Sequence, residues 1–154
     1  MIEAGLEFLM IKISTIDGFS FYEEHQKLID KNGYVWFCRF GKCNLLISSI
    51  TKNGNLIFVR DTIKNGGKKY ALYFSEVSST IPDNNYPDYY KTINKEKPLW
   101  FKVTSIVELP DNLNSYLCVA SSGNSLDHVY KSMCTSFYVK TIKACDFKKS
   151  AHDL

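Results

Sequence analysis

The sequence predicts an α+β fold: a mixed, largely antiparallel sheet or partly open barrel with two or three helices packed on it. Three observations lead there. Short β-branched and aromatic runs recur along the chain and outnumber the helical stretches. Lys64-Asn65-Gly66-Gly67 sits between two such runs as a hairpin turn. One segment, SFYEEHQKLIDKNG at 20–33, combines helical spacing with a signal at each end.

Residues 6–14, LEFLMIKIS, are short and apolar enough for a strand, although Met and Leu leave a helix open. The helix at 20–33 opens on Ser20-x-x-Glu23, where each side chain can satisfy the other's free N–H, and closes on Asn32-Gly33, a pair that tolerates a left-handed cap. His25 falls on its apolar stripe between Phe21 and Ile29 and reads as a packing histidine. YVWFCRF follows as a strand with Tyr34, Trp36, Cys38 and Phe40 on one face and Val35, Phe37 and Arg39 on the other. Residues 44–50 are apolar and fit either element. Two strands then flank the glycine turn, LWFKVTSIVEL at 99–109 forms another, SYLCVA at 115–120 is a shorter candidate, and SLDHVYKSM is a short helix before the last strand, TSFYVKTI.

At 154 residues, 45% hydrophobic and 14% aromatic, the chain fits one domain that buries roughly two thirds of its unfolded surface. We assign residues 1–145 to that domain and 146–154 to a polar tail or linker. No run approaches the ~20 apolar residues of a membrane span. Glu3 and Glu7 stand where a secretory signal would carry lysine or arginine, so a cytoplasmic protein without a membrane partner is expected. Five cysteines without a C-x-x-C suggest neither a disulfide framework nor zinc, and reduced thiols are the expectation. Charge divides unevenly: residues 1–33 hold six acids against three lysines, leaving −3 there and +6 on the remaining 121 residues. The lysines of that second part gather at Lys64, Lys68 and Lys69, at Lys91, Lys95 and Lys97, and at Lys140, Lys143, Lys148 and Lys149; such clusters are solvated surface or a phosphate footprint.

Enzymatic signatures are missing. There is no P-loop, no dinucleotide fingerprint, no H-E-x-x-H and no G-x-S-x-G, so no cofactor and no catalytic residue is expected. His128 is the one histidine placed to act as a base, and Pro110-Asp111 with Asp146-Phe147-Lys148 imitates nuclease spacing by chance. Binding features are stronger. The segment from Ser79 to Pro98 is long for a connection and carries Tyr86, Tyr89 and Tyr90, so it either covers one end of the sheet or forms the lip of a pocket floored by Trp36. SSGNSLDH at 121–128 places Ser121, Ser122 and Asn124 at a helix start, where free N–H groups attract anions.

The order helix EEHQKLIDKNG, strand GYVWFCRFGK, strand and loop KKYALYFSEVSSTIPDNNYPDYY, then strand LWFKVTSIVEL resembles the PUA-like superfamily, in particular its EVE, YTH and ASCH members, over residues 20–140. The resemblance implies a small curved barrel that binds RNA or DNA by taking a modified base into an aromatic cage. Similar domains serve as recognition modules of methylation-dependent restriction systems, which implies a fused or separate motor or nuclease as partner. Trp36 matches the strand tryptophan of these families, and Trp100 or the tyrosines at 86, 89 and 90 offer a second wall. The chain departs from the YTH pattern in lacking its serine–threonine pair after that tryptophan, since Phe37, Cys38 and Arg39 follow; the base stays open.

The function expected on these grounds is a non-enzymatic reader of modified, methylated nucleic acid, DNA before RNA. Trp36 would stack the base, Trp100, Tyr86, Tyr89 and Tyr90 would wall it, Ser121, Ser122 and Asn124 would hydrogen-bond it, and Arg39, Lys68, Lys69, Lys91 and Lys95 would hold phosphates. On that scheme Trp36→Ala abolishes binding and leaves the fold intact. The alternative from another class is a protein-interaction or inhibitor module that uses its aromatics as an exposed patch. A small enzyme acting on a nucleoside is a third reading.

Overall fold

Hydrogen bonding follows the alternation read from the sequence. The computed structural model describes residues 2–13, 18–62, 66–130 and 135–147. Strands β1 (Glu7–Lys12), β2 (Val35–Arg39), β3 (Leu56–Arg60), β4 (Lys69–Ser78), β5 (Leu99–Glu108), β6 (Leu117–Val119) and β7 (Ser136–Thr141) are joined by helices α1 (Phe21–Asn32), α2 (Ile47–Ile50) and α3 (Leu126–Tyr130). The strands form one mixed sheet in the order β2-β5-β4-β3-β1-β7-β6. β1 runs parallel to β3, whereas β1–β7, β2–β5 and β6–β7 are antiparallel. Segment 6–14, open between strand and helix in the sequence, yields the strand Glu7–Lys12, and 44–50 yields only the single turn of α2. Lys64 and Asn65 of the hairpin turn, Cys134, His152, Lys148 and Lys149, and the side chain of His128 lie outside the described residues. Among those described, no helix is long and apolar enough to cross a membrane.

The sheet order has two ends, β2 and β6, so the partly open barrel gives way to an open sheet. At the β2 end the reason is local. In the β2–β5 ladder, Val35, Phe37 and Arg39 lie opposite Val103, Phe101 and Leu99. The N–H groups of Trp36 and Cys38 have other acceptors: Trp36 donates to the Asn85 carbonyl at 2.9 Å and Cys38 to Tyr90 Oη at 3.5 Å. The segment after β4 therefore caps an edge that would otherwise template a further strand.

α1 has the ends its sequence predicts. Ser20 Oγ accepts the Glu23 N–H at 3.3 Å, and Gly33, at φ 85°, returns its N–H to the Ile29 carbonyl at 2.7 Å. Glu23 and Glu24 in the first turn and Lys31 in the last complement the helix dipole. Ser20→Ala leaves one of these N–H groups without its acceptor and is expected to cost about 0.5–2 kcal/mol, measured by urea denaturation.

The chain divides into two compact units. The first comprises Met1–Ser14, Leu56–Ala71 and Val107–Leu154. Its centre is β1, whose Phe8, Leu9, Met10 and Ile11 are all buried because β3 and β7 flank it and both its faces are covered. Phe58 meets Phe8 and Phe147 edge-on, at 6.0 and 5.1 Å between ring centroids. Phe147 is 4% exposed, so packed chain continues past residue 145 into the segment read as tail.

The second unit comprises Thr15–Asn55 and Leu72–Ile106. Here β2 separates two environments. Phe37 faces α1, where it meets Phe21 edge-on at 5.8 Å, and continues through Phe101 at 6.1 Å to Phe74. Trp36 and Cys38 belong to a separate buried cluster with Tyr89, Tyr90 and Trp100.

Candidate functional site

That second cluster gathers the aromatic residues singled out in the sequence. Cys38 lies opposite Trp100 and Trp36 opposite Lys102, so the two indoles sit diagonally on one face of the β2–β5 ladder. The segment after β4 lays its tyrosines over them. Tyr86 stacks on Tyr90 at 5.8 Å and 16°, and it stands 5.5 Å from Trp100; Tyr90 is 6.2 Å from Trp100 and 5.2 Å from Tyr89. Tyr34, Phe40, Ile81, Tyr86 and Ile93 rim the cluster, partly buried.

Exposure departs from the expectation of an open cage. Trp36 is 0% exposed and Trp100, Tyr89 and Tyr90 are buried with it; of the walls proposed from the sequence, Tyr86 alone is half-buried. The residue expected to stack a base is thus enclosed, in a cluster that is mainly aromatic, with Ile81 and Ile93 at its rim. Hydrophobic burial explains this: an indole gains far more free energy inside than at a mouth unless a partner covers it. One polar atom is uncompensated. The Trp36 Nε1–H is buried without a hydrogen-bond partner. It nevertheless lies near enough to Asp83 to act on its charge: burial pushes the Asp83 carboxyl up, but the Asn85 N–H, Tyr34 Oη, Trp36 Nε1–H and Lys102 together hold it below the ordinary range. The indole thus stands close to Asp83 without a formed bond.

Three polar clasps, none of them marked by a sequence motif, hold the covering segment down. Tyr34 Oη donates to Asp83 at 2.8 Å, and that bond is the main reason the Tyr34 hydroxyl titrates above its usual range. Asn85 donates its side-chain amide to the Tyr34 carbonyl at 2.6 Å and accepts from the Asn32 amide at 2.7 Å. His25 supplies the third. Its Nδ1–H donates to the Phe21 carbonyl at 2.7 Å, which leaves Nε2 as an acceptor for the Tyr90 hydroxyl, and Tyr90 Oη accepts the Cys38 N–H. Each polar atom of this His25–Tyr90–Cys38 relay has a partner, and His25 is 0% exposed. Burial holds its imidazole down to about 4, the Phe21 bond opposing, and burial pushes Tyr90 well above its usual range. The sequence signal for this clasp was His25 itself, a polar ring on an apolar stripe that requires a buried partner.

The expected phosphate contacts separate. Arg39 spends its Nη1 on the carbonyls of Phe40, Gly41 and Lys42, at 3.0, 3.3 and 2.9 Å, and so ties a turn. Lys91 is exposed beside Asp88 at 3.7 Å, and Lys95 is exposed. Lys97, read from the sequence as part of the same basic cluster, has its Nζ on the Ile93 carbonyl at 2.9 Å and 5.7 Å from the Phe40 ring centroid. Lys97 and Arg39 both act against the burial that lifts the Cys38 thiol to about 12, which disfavours its thiolate.

Ser121, Ser122, Asn124, Lys68 and Lys69 belong to the first unit and are not members of the cluster. Ser122 Oγ accepts the Asn124 N–H at 3.2 Å, and the Asn124 carbonyl accepts from Val119 at 2.9 Å. At the start of α3 the Leu126 and Asp127 N–H groups already bond Asn114 Oδ1 and Ser125 Oγ, so the anion site read there is occupied by the chain's own acceptors. Lys68 pairs with Glu108 at 3.3 Å, and Lys69 lies 5.9 Å from the Tyr130 ring centroid. Among the described residues, no group of three or more His, Cys, Asp and Glu could hold a metal ion. Searches of protein-family models, curated proteins and solved structures find no match to this chain.

Proposed function

We propose that this chain is a non-enzymatic, PUA-like module that binds nucleic acid and takes a modified, methylated base into the aromatic cluster of its second unit, with DNA the preferred substrate and a restriction-type nuclease or motor as its partner. The observation that carries the reading is the gathering of Trp36, Tyr90 and Trp100 in one buried cluster, with the half-buried Tyr86 ring set against Tyr90 and Trp100. Lys91 and Lys95 are exposed on the same covering segment. The two indoles serve as floor rather than mouth, and uptake requires the cover to yield. Extracting a base costs a few kcal/mol and stacking it returns about 1–3 kcal/mol, so these terms nearly balance. Net affinity then comes from phosphate contacts and falls steeply with salt.

The test is a salt series with methylated and plain duplex oligonucleotides. A methyl group in a snug apolar site discriminates by about 1–3 kcal/mol, so a ten- to two-hundred-fold preference for the methylated duplex is expected. Lys95→Glu should weaken both duplexes alike and flatten the salt slope by about one phosphate contact. Equal affinity for the two duplexes would dismiss the base pocket. An absence of binding at low salt would leave the protein-interaction reading, which Leu46 at 66% and Ile47 at 41% exposure favour.

A further inference from the structure

The geometry points to Tyr86 as the ring that the incoming base replaces, and so to a single six-membered heterocycle, a pyrimidine, as the base class this site takes; the inference rests on the reading above. The tyrosines of the cluster are not held alike. Tyr34 is tied through its hydroxyl to Asp83, and Tyr90 through its own to His25 and Cys38. Tyr89 is buried at 7% exposure, with Phe19 stacked on it at 5.1 Å. The Tyr86 hydroxyl has no hydrogen-bond partner among the described residues, and what holds its half-buried ring is the near-parallel stack on Tyr90 at 5.8 Å and the contact with Trp100 at 5.5 Å.

A ring held by ring contacts alone can be exchanged for another ring at little net cost, because the same two aromatic faces are covered before and after. The backbone need not move with it. Asn85 is pinned through its carbonyl, amide nitrogen and amide oxygen to Trp36, Tyr34 and Asn32, and Pro87 on the other side is buried, so rotation of the Tyr86 side chain suffices. Size sets the base class. The room vacated by a phenol ring admits one six-membered ring, while a purine brings a second ring that must displace its close-packed neighbours.

Deleting the side chain should open this slot permanently, as truncating a core residue opens a cavity that accepts a small flat molecule. The experiment titrates the intact chain and its Tyr86→Ala and Tyr86→Phe variants with 2′-deoxycytidine, 5-methyl-2′-deoxycytidine, thymidine, 2′-deoxyadenosine and N6-methyl-2′-deoxyadenosine, read by quenching of tryptophan emission. Tyr86→Ala should bind the pyrimidine nucleosides at least tenfold more tightly than the unmodified chain does and at least tenfold more tightly than it binds the purines, and added p-cresol should compete. Tyr86→Phe should match the unmodified chain, since the hydroxyl has no bond to lose. If Tyr86→Ala unfolds, Tyr86→Leu keeps bulk without the stack and should show the same ordering. Purines bound as tightly as pyrimidines would overturn the assignment of base class and leave the reader intact. Nucleosides ignored by both truncations while the unmodified chain still prefers methylated duplex would overturn Tyr86 as the place of uptake. Failure of nucleosides and oligonucleotides alike would overturn the reading and this inference together.

Discussion

Trp36→Ala is expected to lower the free energy of unfolding by about 3–5 kcal/mol, the range for truncating a large aromatic side chain in a packed interior. The indole is 0% exposed and stands among Tyr34, Cys38, Tyr90 and Trp100, whose clasped positions limit how far they can collapse into the space. One offset enters: the mutation also removes the unpartnered Nε1–H, whose burial carries a desolvation cost, so the loss should fall in the lower half of that range. Urea denaturation followed by far-ultraviolet circular dichroism measures it, with Trp100 emission as a second probe. A loss under ~1 kcal/mol would mean the indole is not packed as described. This reverses the expectation that the substitution removes binding and spares the fold, because that expectation required the ring to face solvent.

Acidification should produce the second large effect. His25 is held to about 4 in the folded chain against 6.5 for the free side chain, so between these values the unfolded chain binds a proton that the folded chain refuses. The stability this contributes is fully present above pH 6.5 and is lost progressively as pH falls to about 4. The full loss is about 3 kcal/mol. Protonation disrupts more than hydration: it turns Nε2 into a donor, so the Tyr90 hydroxyl loses its acceptor. His25→Gln retains an acceptor for Tyr90 without titrating in this window, and its stability should be flat relative to the parent between pH 6.5 and 4. The Asp83 carboxyl, held below its ordinary value, is present in both proteins, so the difference between their profiles isolates the imidazole. Parallel pH profiles for the two proteins would show that the buried imidazole is not the acid-sensitive group.

Much of the second unit was legible in the chain itself. Ser20 and Gly33 bound α1 because capping is a contest among neighbouring backbone groups, settled within four residues. The strand from Val35 and the placement of His25 on the buried stripe followed from periodicity, which reports which face is apolar. The association of Trp36 with the tyrosines of 86–90 was also readable, since aromatic side chains in a proline-bounded segment need something to pack on.

What local pattern could not carry was direction and partnership at long range. Alternation places Trp36 and Cys38 on one face but does not say whether that face meets water or the chain's own loop; hydrogen bonds donated to Asn85 and Tyr90, some fifty residues away, decide it. The same contacts end the sheet at β2, whereas the sequence left a closing barrel open. The division of the expected site, with Lys68, Lys69, Ser121, Ser122 and Asn124 in one unit and the aromatic cluster in the other, is equally a matter of topology. Sequence alone determined which residues are flat, apolar or charged, and the cap and strand geometry that neighbours enforce. Tertiary structure decided which of the flat residues are covered, because burial is the sum of contacts between segments that no local spacing encodes.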